Sequence, residues 1–152
     1  MDYNINEVFE TLDSKQNFLK GIISLIWADG VIKIEEDEFL KDLSLHLKLT
    51  TEQLTQLYSL LKDDNAELAL KFENDIQRLV FLKEGIQLCY IDGNYDSREK
   101  KMMRDYSKQF NISEEFITNL ENWVIDGLAW YKKGLELFGH TEELSIINKV
   151  GV

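Results

Sequence analysis

The stretch Ile26-Trp27-Ala28-Asp29-Gly30 closes an apolar run, and Cys89-Tyr90-Ile91-Asp92-Gly93 closes another one 63 residues later. Glycine after the end of a helix supplies a positive φ at low cost, so each Asp-Gly pair predicts a turn between two helices. A glutamate follows each Asp by seven residues, at Glu36 and at Glu99. The two stretches therefore predict a helix–Asp-Gly–helix unit that occurs twice.

The same 63-residue offset aligns residues well beyond the turns, without a gap over about 35 positions. The matches include charged and hydroxyl residues, which the chance overlap of two amphipathic helices would not produce. Matching pairs include Phe18 and Phe81, Leu19 and Leu82, Lys20 and Lys83, Ile23 and Ile86, Asp42 and Asp105, Ser44 and Ser107, and Thr50 and Ser113. We expect one domain, residues 1–152, with repeats at about 15–62 and 75–125 related by a pseudo-twofold axis, and a C-terminal helical extension at 126–152.

Apolar residues recur at helical spacing along nearly the whole chain, and there is no proline. This pattern predicts an all-α helical bundle. Thr50 with Gln53 resembles a capping box, while Ser14 and Ser113 are expected helix N-caps. The expected helices span about 4–12, 14–28, 35–47, 50–61, 66–72, 75–91, 97–110, 114–138 (with a break) and 141–149.

Composition limits the classes of partner. The chain has 152 residues and a formal net charge of −11, which argues against binding to nucleic acid. The single cysteine, Cys89, excludes an internal disulfide and is expected to be a buried apolar residue. We find no signal-peptide pattern and no apolar run of the roughly 20 residues that a membrane span needs. The expected location is the cytoplasm, without membrane insertion.

The two Asp-Gly loops permit two interpretations. In the structural one, Asp29 and Asp92 accept backbone N–H groups, and the glutamates occupy the first turn of the next helix. In the functional one, the second loop binds Ca²⁺ or Mg²⁺, because it offers closely spaced oxygen donors at Asp92, Asn94, Asp96 and Glu99. The spacing is not that of an EF-hand, and the first loop has Val31 and Lys33 where donors would be needed.

These motifs resemble the TerB-like family, which includes tellurite-resistance TerB proteins and the N-terminal domain of DjlA-type co-chaperones. The resemblance rests on the two Asp-Gly stretches with Glu36 and Glu99, and on the endings Leu47–Thr50 and Phe110–Ser113. It covers about residues 15–125. It implies an all-α fold with pseudo-twofold repeats and a role in stress response or tellurite resistance. The loop positions that carry over are Asp29, Gly30, Glu36, Asp92, Gly93 and Glu99.

The two repeats differ in charge. Residues 34–49 contain five acidic and two basic residues, a net charge of −3, whereas residues 97–112 contain five basic and two acidic ones, a net charge of +3. Lys100, Arg104 and Lys108 are four residues apart and are expected to form a basic stripe on one helix face. Either the two faces are simply solvated, or the basic stripe docks an acidic partner or another copy of the chain.

The segment 123–131 is rich in aromatic residues, and Gly127 and Gly134 are seven residues apart on one helix face. Such a face either packs in the core or contacts a partner. We find no nucleophile–base pair that would indicate an enzyme. The expected function is a non-enzymatic stress-response or interaction module, with a protein partner or self-association. The alternative is a divalent-cation-binding protein that uses the second Asp-Gly loop.

Overall fold

The computed structural model of the chain describes residues 3–27, 32–63, 70–91 and 95–139, and all regular structure within them is helical. The predicted all-α helical bundle is therefore confirmed. The helices are α1 (Ile5–Val8), α2 (Leu12–Ile26), α3 (Ile34–His46), α4 (Thr51–Asp63), α5 (Asp75–Ile91), α6 (Ser97–Gln109) and α7 (Glu114–Phe138).

Side-chain caps fix where most of these helices begin. The predicted capping box before α4 is present, since the Thr50 hydroxyl accepts from the Gln53 backbone N–H at 3.1 Å and the side-chain Oε1 atom of Gln53 accepts from the Thr50 backbone N–H at 2.8 Å. The predicted Ser113 cap of α7 is present as well. The cap of α2 is Thr11 rather than Ser14, because Ser14 lies in the helix and its N–H donates to the Thr11 hydroxyl.

Helices α3 and α6 end in the same hydrogen-bond pattern. The Leu49 N–H donates to the Ser44 carbonyl at 2.9 Å, and the Ile112 N–H donates to the Ser107 carbonyl at 2.8 Å. The residue before each donor has a φ of 58°, at Lys48 and at Asn111. This is the Schellman arrangement, in which a left-handed residue turns the chain out of the helix.

The 63-residue offset of the sequence recurs in the positions of the helices. Helices α2, α3 and α4 begin at Leu12, Ile34 and Thr51, while α5, α6 and α7 begin at Asp75, Ser97 and Glu114. Both α3 and α6 have 13 residues, so their ends share the offset too. The pseudo-twofold relation between the repeats stays a prediction.

The described residues fall into two compact units, and the division lies within α5, between Phe81 and Leu82. In the first unit α2, α3 and α4 contact one another. Its core contains a cluster of aromatic rings, with the Phe9 and Phe18 centroids 4.4 Å apart and the Phe72 and Phe81 centroids 5.4 Å apart. Gly21 lies at this cluster, where a Cβ atom would come within 2.3 Å of Cε1 of Phe81.

In the second unit α6 packs against α7. Its buried residues include the predicted core cysteine, Cys89, which is 3% exposed. The other apolar members are Leu82, Ile86, Leu88, Tyr95, Met103, Tyr106, Ile117 and Val124. None of the helices that the structure describes combines the length and hydropathy needed to cross a bilayer.

Some expected elements differ from the structure. The first helix is only four residues long, because the chain leaves the helix at Phe9. Helix α7 runs from Glu114 to Phe138 without the expected break. Of the helix expected at 66–72, residues 70–72 are not helical and residues 66–69 lie outside the described part. The segment expected at 141–149 also lies outside it.

Candidate functional site

The loop residues on which the cation hypothesis depends lie largely outside the described part of the chain. These are Asp29, Gly30, Asp92, Gly93 and Asn94. The residues that follow each loop are described, and they show which groups the acidic side chains at the start of α3 and of α6 contact.

Asp96 is the N-cap of α6, and its Oδ1 atom accepts from the Glu99 N–H at 2.9 Å. At the equivalent place before α3 stands Lys33, whose backbone N–H donates to Oε2 of the buried Glu36 at 3.2 Å. Both arrangements satisfy amide groups at the start of a helix. Within the described ranges, no three His, Cys, Asp or Glu side chains come together as a possible metal site.

The basic stripe predicted on α6 contains one member with a strong partner. The Arg104 guanidinium forms two hydrogen bonds to Glu121 of α7, at 3.0 Å to Oε2 and 2.8 Å to Oε1. The side chain of Glu121 is only 8% exposed and that of Arg104 is 27% exposed. Arg104 thus neutralises a buried carboxylate, and Lys100 and Lys108 remain as the exposed members of the stripe.

Aromatic residues enclose this ion pair. The Tyr95 hydroxyl is buried near Glu121, and the Tyr90 and Tyr95 ring centroids are 4.7 Å apart. The Lys100 ammonium lies 5.5 Å from the centroid of the Tyr95 ring, within the range of a cation–π contact. Burial and the neighbouring Glu121 raise the pKa of Tyr95. Burial alone would raise the pKa of Glu121, but the two hydrogen bonds from Arg104 and the positive charges of Arg104 and Lys100 outweigh it and lower that pKa.

A smaller polar cluster occupies the equivalent positions of the first unit. The Tyr58 hydroxyl donates to Oδ1 of Asp37 at 3.1 Å, and the Lys41 ammonium lies 2.8 Å from the other carboxylate oxygen, Oδ2. The hydrogen bond from Lys41 is the main cause that lowers the pKa of Asp37. At the 63-residue offset, Asp37 matches Lys100, Lys41 matches Arg104 and Tyr58 matches Glu121. The acidic residue of the cluster therefore lies on α3 in the first unit, but on α7, the counterpart of α4, in the second.

Glu121 was missed by the sequence reasoning, although a signal was present. It follows Ile117 by four residues and precedes Val124 by three, so it is a lone carboxylate on the buried face of α7. A charged residue in such a position needs a buried partner.

A second pair of charges lies within the apolar helix α5. The Lys83 ammonium is 3.0 Å from Oε1 of Glu84, whose side chain is 2% exposed. Burial raises the pKa of Glu84 well above its usual range and lowers that of Lys83 to about 8. Both shifts have the same cause, which is the cost of placing a charge away from water.

The most extended exposed feature is an apolar stripe on α7. Trp123, Trp130 and Leu137 follow one another at intervals of seven residues and are 49%, 78% and 76% exposed. Gly127 and Gly134 lie between them on the same face, and a Cβ atom added to either glycine would meet nothing within 4 Å. We call this face the α7 stripe; it comprises Phe116, Leu120, Trp123, Gly127, Trp130, Gly134, Leu137 and Phe138.

The described residues therefore contain two buried ion pairs, a polar cluster around Asp37, the capped starts of α3 and α6, and an exposed apolar stripe. The Arg104–Glu121 pair joins α6 to α7, the Lys83–Glu84 pair lies within α5, and the stripe contacts solvent. Comparisons with protein families, with curated proteins and with solved structures found no match to this chain.

Proposed function

We propose that the chain is a non-enzymatic protein-interaction module of TerB-like type that acts in stress response. The observation that carries the interaction role is the α7 stripe. The last buried residue of α7 is Val124, and the described residues that follow it in the helix include Trp130, Leu137 and Phe138, each more than 75% exposed.

Exposed apolar patches of this kind are uncommon on monomeric proteins and mark interaction surfaces. Tryptophan is also the side chain most enriched among the residues that dominate binding energy at interfaces. The two buried ion pairs are consistent with this interpretation, because their charges are paired within the unit and do not form a binding surface.

The TerB-like part of the proposal draws on the two Asp-Gly stretches with their following glutamates. It is supported by the helix starts, which keep the 63-residue offset of those motifs through α2–α4 and α5–α7. A TerB-like role predicts that loss of the protein sensitises its cells to tellurite.

The test uses the full chain as bait in lysate from its own cells, with the substitution Trp130→Gln as the stripe variant. Ala129→Gln is the matched control, because Ala129 is exposed on the same helix but lies off the stripe. We expect bound proteins that are retained by the native chain and by Ala129→Gln and lost with Trp130→Gln. The same pattern is expected when the variants are used to restore tellurite tolerance in a deletion strain. Identical bound sets for all three chains would contradict the proposal.

The second candidate is a divalent-cation-binding protein that uses Asp92, Asn94, Asp96 and Glu99. It is supported by the position of the Asp96 carboxylate at the N-cap of α6 and of the Glu99 carboxylate in its first turn, directly after the second loop. Calorimetric titration with Ca²⁺ and with Mg²⁺ tests it.

The decisive variant for the cation hypothesis is Asp96→Asn, because asparagine caps a helix as well as aspartate does and removes only the charge. Weaker metal binding without loss of stability is expected if Asp96 is a ligand. The absence of any heat of binding at millimolar metal in the native chain would exclude a cation site in this loop.

A further inference from the structure

We propose that the α7 stripe binds the same stripe of a second copy of this chain, in an antiparallel helix pair that forms a twofold-symmetric dimer. The inference rests on the proposed interaction role of the stripe and names its occupant. Four features of α7 support it: the incomplete packing of its second half, the order of large and small residues, the charges beside the stripe, and the exposed area.

The second half of α7 is packed less completely than the first, since its best-covered large side chains, Leu128, Tyr131 and Leu135, are only half-buried. No residue after Val124 is buried in this helix, which continues to Phe138. Helices of fewer than about 12–15 residues are marginal in water, and most helical stability in proteins comes from the packing of an apolar face. A partner on the stripe would supply that packing.

The order of residues along the stripe is nearly the same in both directions. Large side chains at 123, 130 and 137 alternate with glycines at 127 and 134, so the pattern is centred on Trp130. In a twofold pair the same surface must be complementary to itself. An antiparallel pair centred on Trp130 places Trp123 beside Leu137 of the other copy. It also places Gly127 within one residue of the other copy's Gly134.

The two glycines suit such a pair because they allow two helix backbones to approach closely. Gly127 and Gly134 have open space where a side chain would begin. In the antiparallel pair their gaps would accept the tryptophan side chains of the other copy. Glycine weakens an exposed helix by about 1 kcal/mol relative to alanine, so two glycines on a solvent-facing stripe are costly unless another surface uses the gap.

Charged residues beside the stripe are complementary under the same symmetry. Asp126 and Lys133 are exposed and lie on the same flank of α7, seven residues and therefore about 10 Å apart along the axis. A twofold axis perpendicular to the helices brings the same flanks of the two copies together. Asp126 of each copy then lies within about one residue of the other copy's Lys133, which gives two ion pairs across the interface.

The exposed area is sufficient for a dimer of moderate affinity. Large aromatic side chains contribute about 150–250 Å² each, so the exposed fractions along the stripe amount to roughly 600 Å² per copy. The pair would bury roughly 1,200 Å², the lower limit of specific protein interfaces. We therefore expect a dissociation constant on the order of micromolar.

The first experiment measures the molar mass of the full chain by analytical ultracentrifugation over a range of concentrations. We expect a monomer–dimer equilibrium in the native chain. Trp130→Gln should weaken it by at least about thirtyfold, as expected for the loss of a dominant interface residue on each copy. Ala129→Gln should leave it unchanged.

Gly127→Gln separates dimerisation from folding. Glutamine is a better helix former than glycine, and the space around Gly127 is open within one chain. The variant should therefore keep or increase helical content measured by circular dichroism, while its dimer is lost because the side chain fills the closest approach of the helices.

The second experiment identifies the occupant through charge exchange. Asp126→Lys alone places two lysines opposite each other at both symmetric contacts, and Lys133→Asp alone places two aspartates there. Each single variant should therefore weaken the dimer by about tenfold. The double variant Asp126→Lys/Lys133→Asp restores opposite charges and keeps the net charge of −11, so its affinity should return to within about threefold of the native value. Only a second copy of the same helix predicts this recovery.

Other outcomes overturn the proposal. A monomer at all concentrations whose α7 tryptophans are shielded from acrylamide would show that residues 140–152 of the same chain cover the stripe. A monomer with accessible tryptophans that still loses bound proteins with Trp130→Gln would refute the dimer and leave the interaction role intact. A monomer without such losses would refute both.

Discussion

Lys48 and Asn111 adopt the same left-handed backbone conformation, each directly after the C-cap residue of a helix. The conformation costs roughly 1–2 kcal/mol for most residues and little for glycine, and asparagine tolerates it better than lysine does. The Schellman hydrogen bonds at both helix ends therefore hold a strained residue at Lys48 and a well-adapted one at Asn111.

We expect Lys48→Gly to stabilise the protein by about 0.5–1 kcal/mol, because glycine removes the steric cost of the positive φ. Asn111→Gly should give a smaller gain for the same reason. Urea denaturation measures both. Lys48→Ala is the control for loss of the lysine charge, and an equal gain in that variant would show that the backbone is not the cause.

The ion pair between Arg104 and Glu121 leads to a prediction with two variants. Arg104→Met should destabilise the protein by about 3 kcal/mol, because it leaves the carboxylate of Glu121 buried without a counter-charge. Arg104→Met/Glu121→Met removes both charges and should recover all but about 1 kcal/mol of the native stability. A double variant that is as unstable as the single one would contradict this account of the pair.

The same pair predicts a pH dependence. The pKa of Glu121 is lowered in the folded state from its usual value of 4.5, so the folded protein binds the proton less readily than the unfolded chain does. Its contribution to stability is fully present above about pH 4.5 and is lost as the pH falls through the lower folded pKa. The stability difference between native and Glu121→Gln proteins, followed by denaturation from pH 7 to pH 3, should therefore shrink below about pH 4.5. A difference that is constant over this range would contradict it.

Cap residues were predictable from the sequence, because a cap involves groups only three residues apart. The Thr50 and Ser113 caps are of this kind. Glu121 could not be paired with Arg104 in the same way, since 17 residues separate them and the pairing depends on how α6 packs against α7. Asp96 is an intermediate case: the sequence analysis considered it only as a cation ligand and gave the capping role to Asp92, whereas the structure shows Asp96 as the cap of α6.

At the scale of the helices, two glycines with opposite environments make a matched test. Gly21 of α2 faces the ring of Phe81 and Leu70, where a Cβ atom would lie 2.3 Å and 2.8 Å from side-chain atoms. The ring of Phe81 is fully buried and cannot move freely. Gly127 of α7 faces open space.

We expect Gly21→Ala to destabilise the protein by about 1–3 kcal/mol, because overpacking of a full core outweighs the better helix propensity of alanine. Gly127→Ala should instead stabilise the monomer by up to about 1 kcal/mol. Thermal unfolding at low protein concentration compares the two. Stabilisation by both substitutions would show that the core near Gly21 is loosely packed.

The positions of most helices could be predicted from the spacing of apolar residues, but the uninterrupted length of α7 was not predicted. A break somewhere within 114–138 was expected. The helix nevertheless continues to Gly139, whose φ of 73° ends it. Apolar residues continue at intervals of three and four through this segment, and that spacing is typical of one continuous helix.

At the scale of the whole molecule, the net charge of −11 opposes association of two copies. The sequence left one mode of self-association open, docking through the basic stripe of Lys100, Arg104 and Lys108, and the exposed α7 stripe offers a second. The pairing of Arg104 with Glu121 leaves the basic stripe with fewer exposed charges. The α7 stripe, in contrast, is apolar and exposed.

A salt series distinguishes these modes. Two chains of charge −11 repel each other, and this repulsion is screened as the Debye length falls from about 30 Å at 0.01 M to about 8 Å at 0.15 M salt. The two flanking ion pairs between Asp126 and Lys133 also weaken with salt, but exposed pairs contribute at most about 1 kcal/mol each. Association through the α7 stripe should therefore strengthen by about tenfold over this range, measured by sedimentation of the full chain. Association through the basic stripe would be driven by attraction and would weaken instead, so the sign of the salt dependence decides between an apolar and an electrostatic dimer.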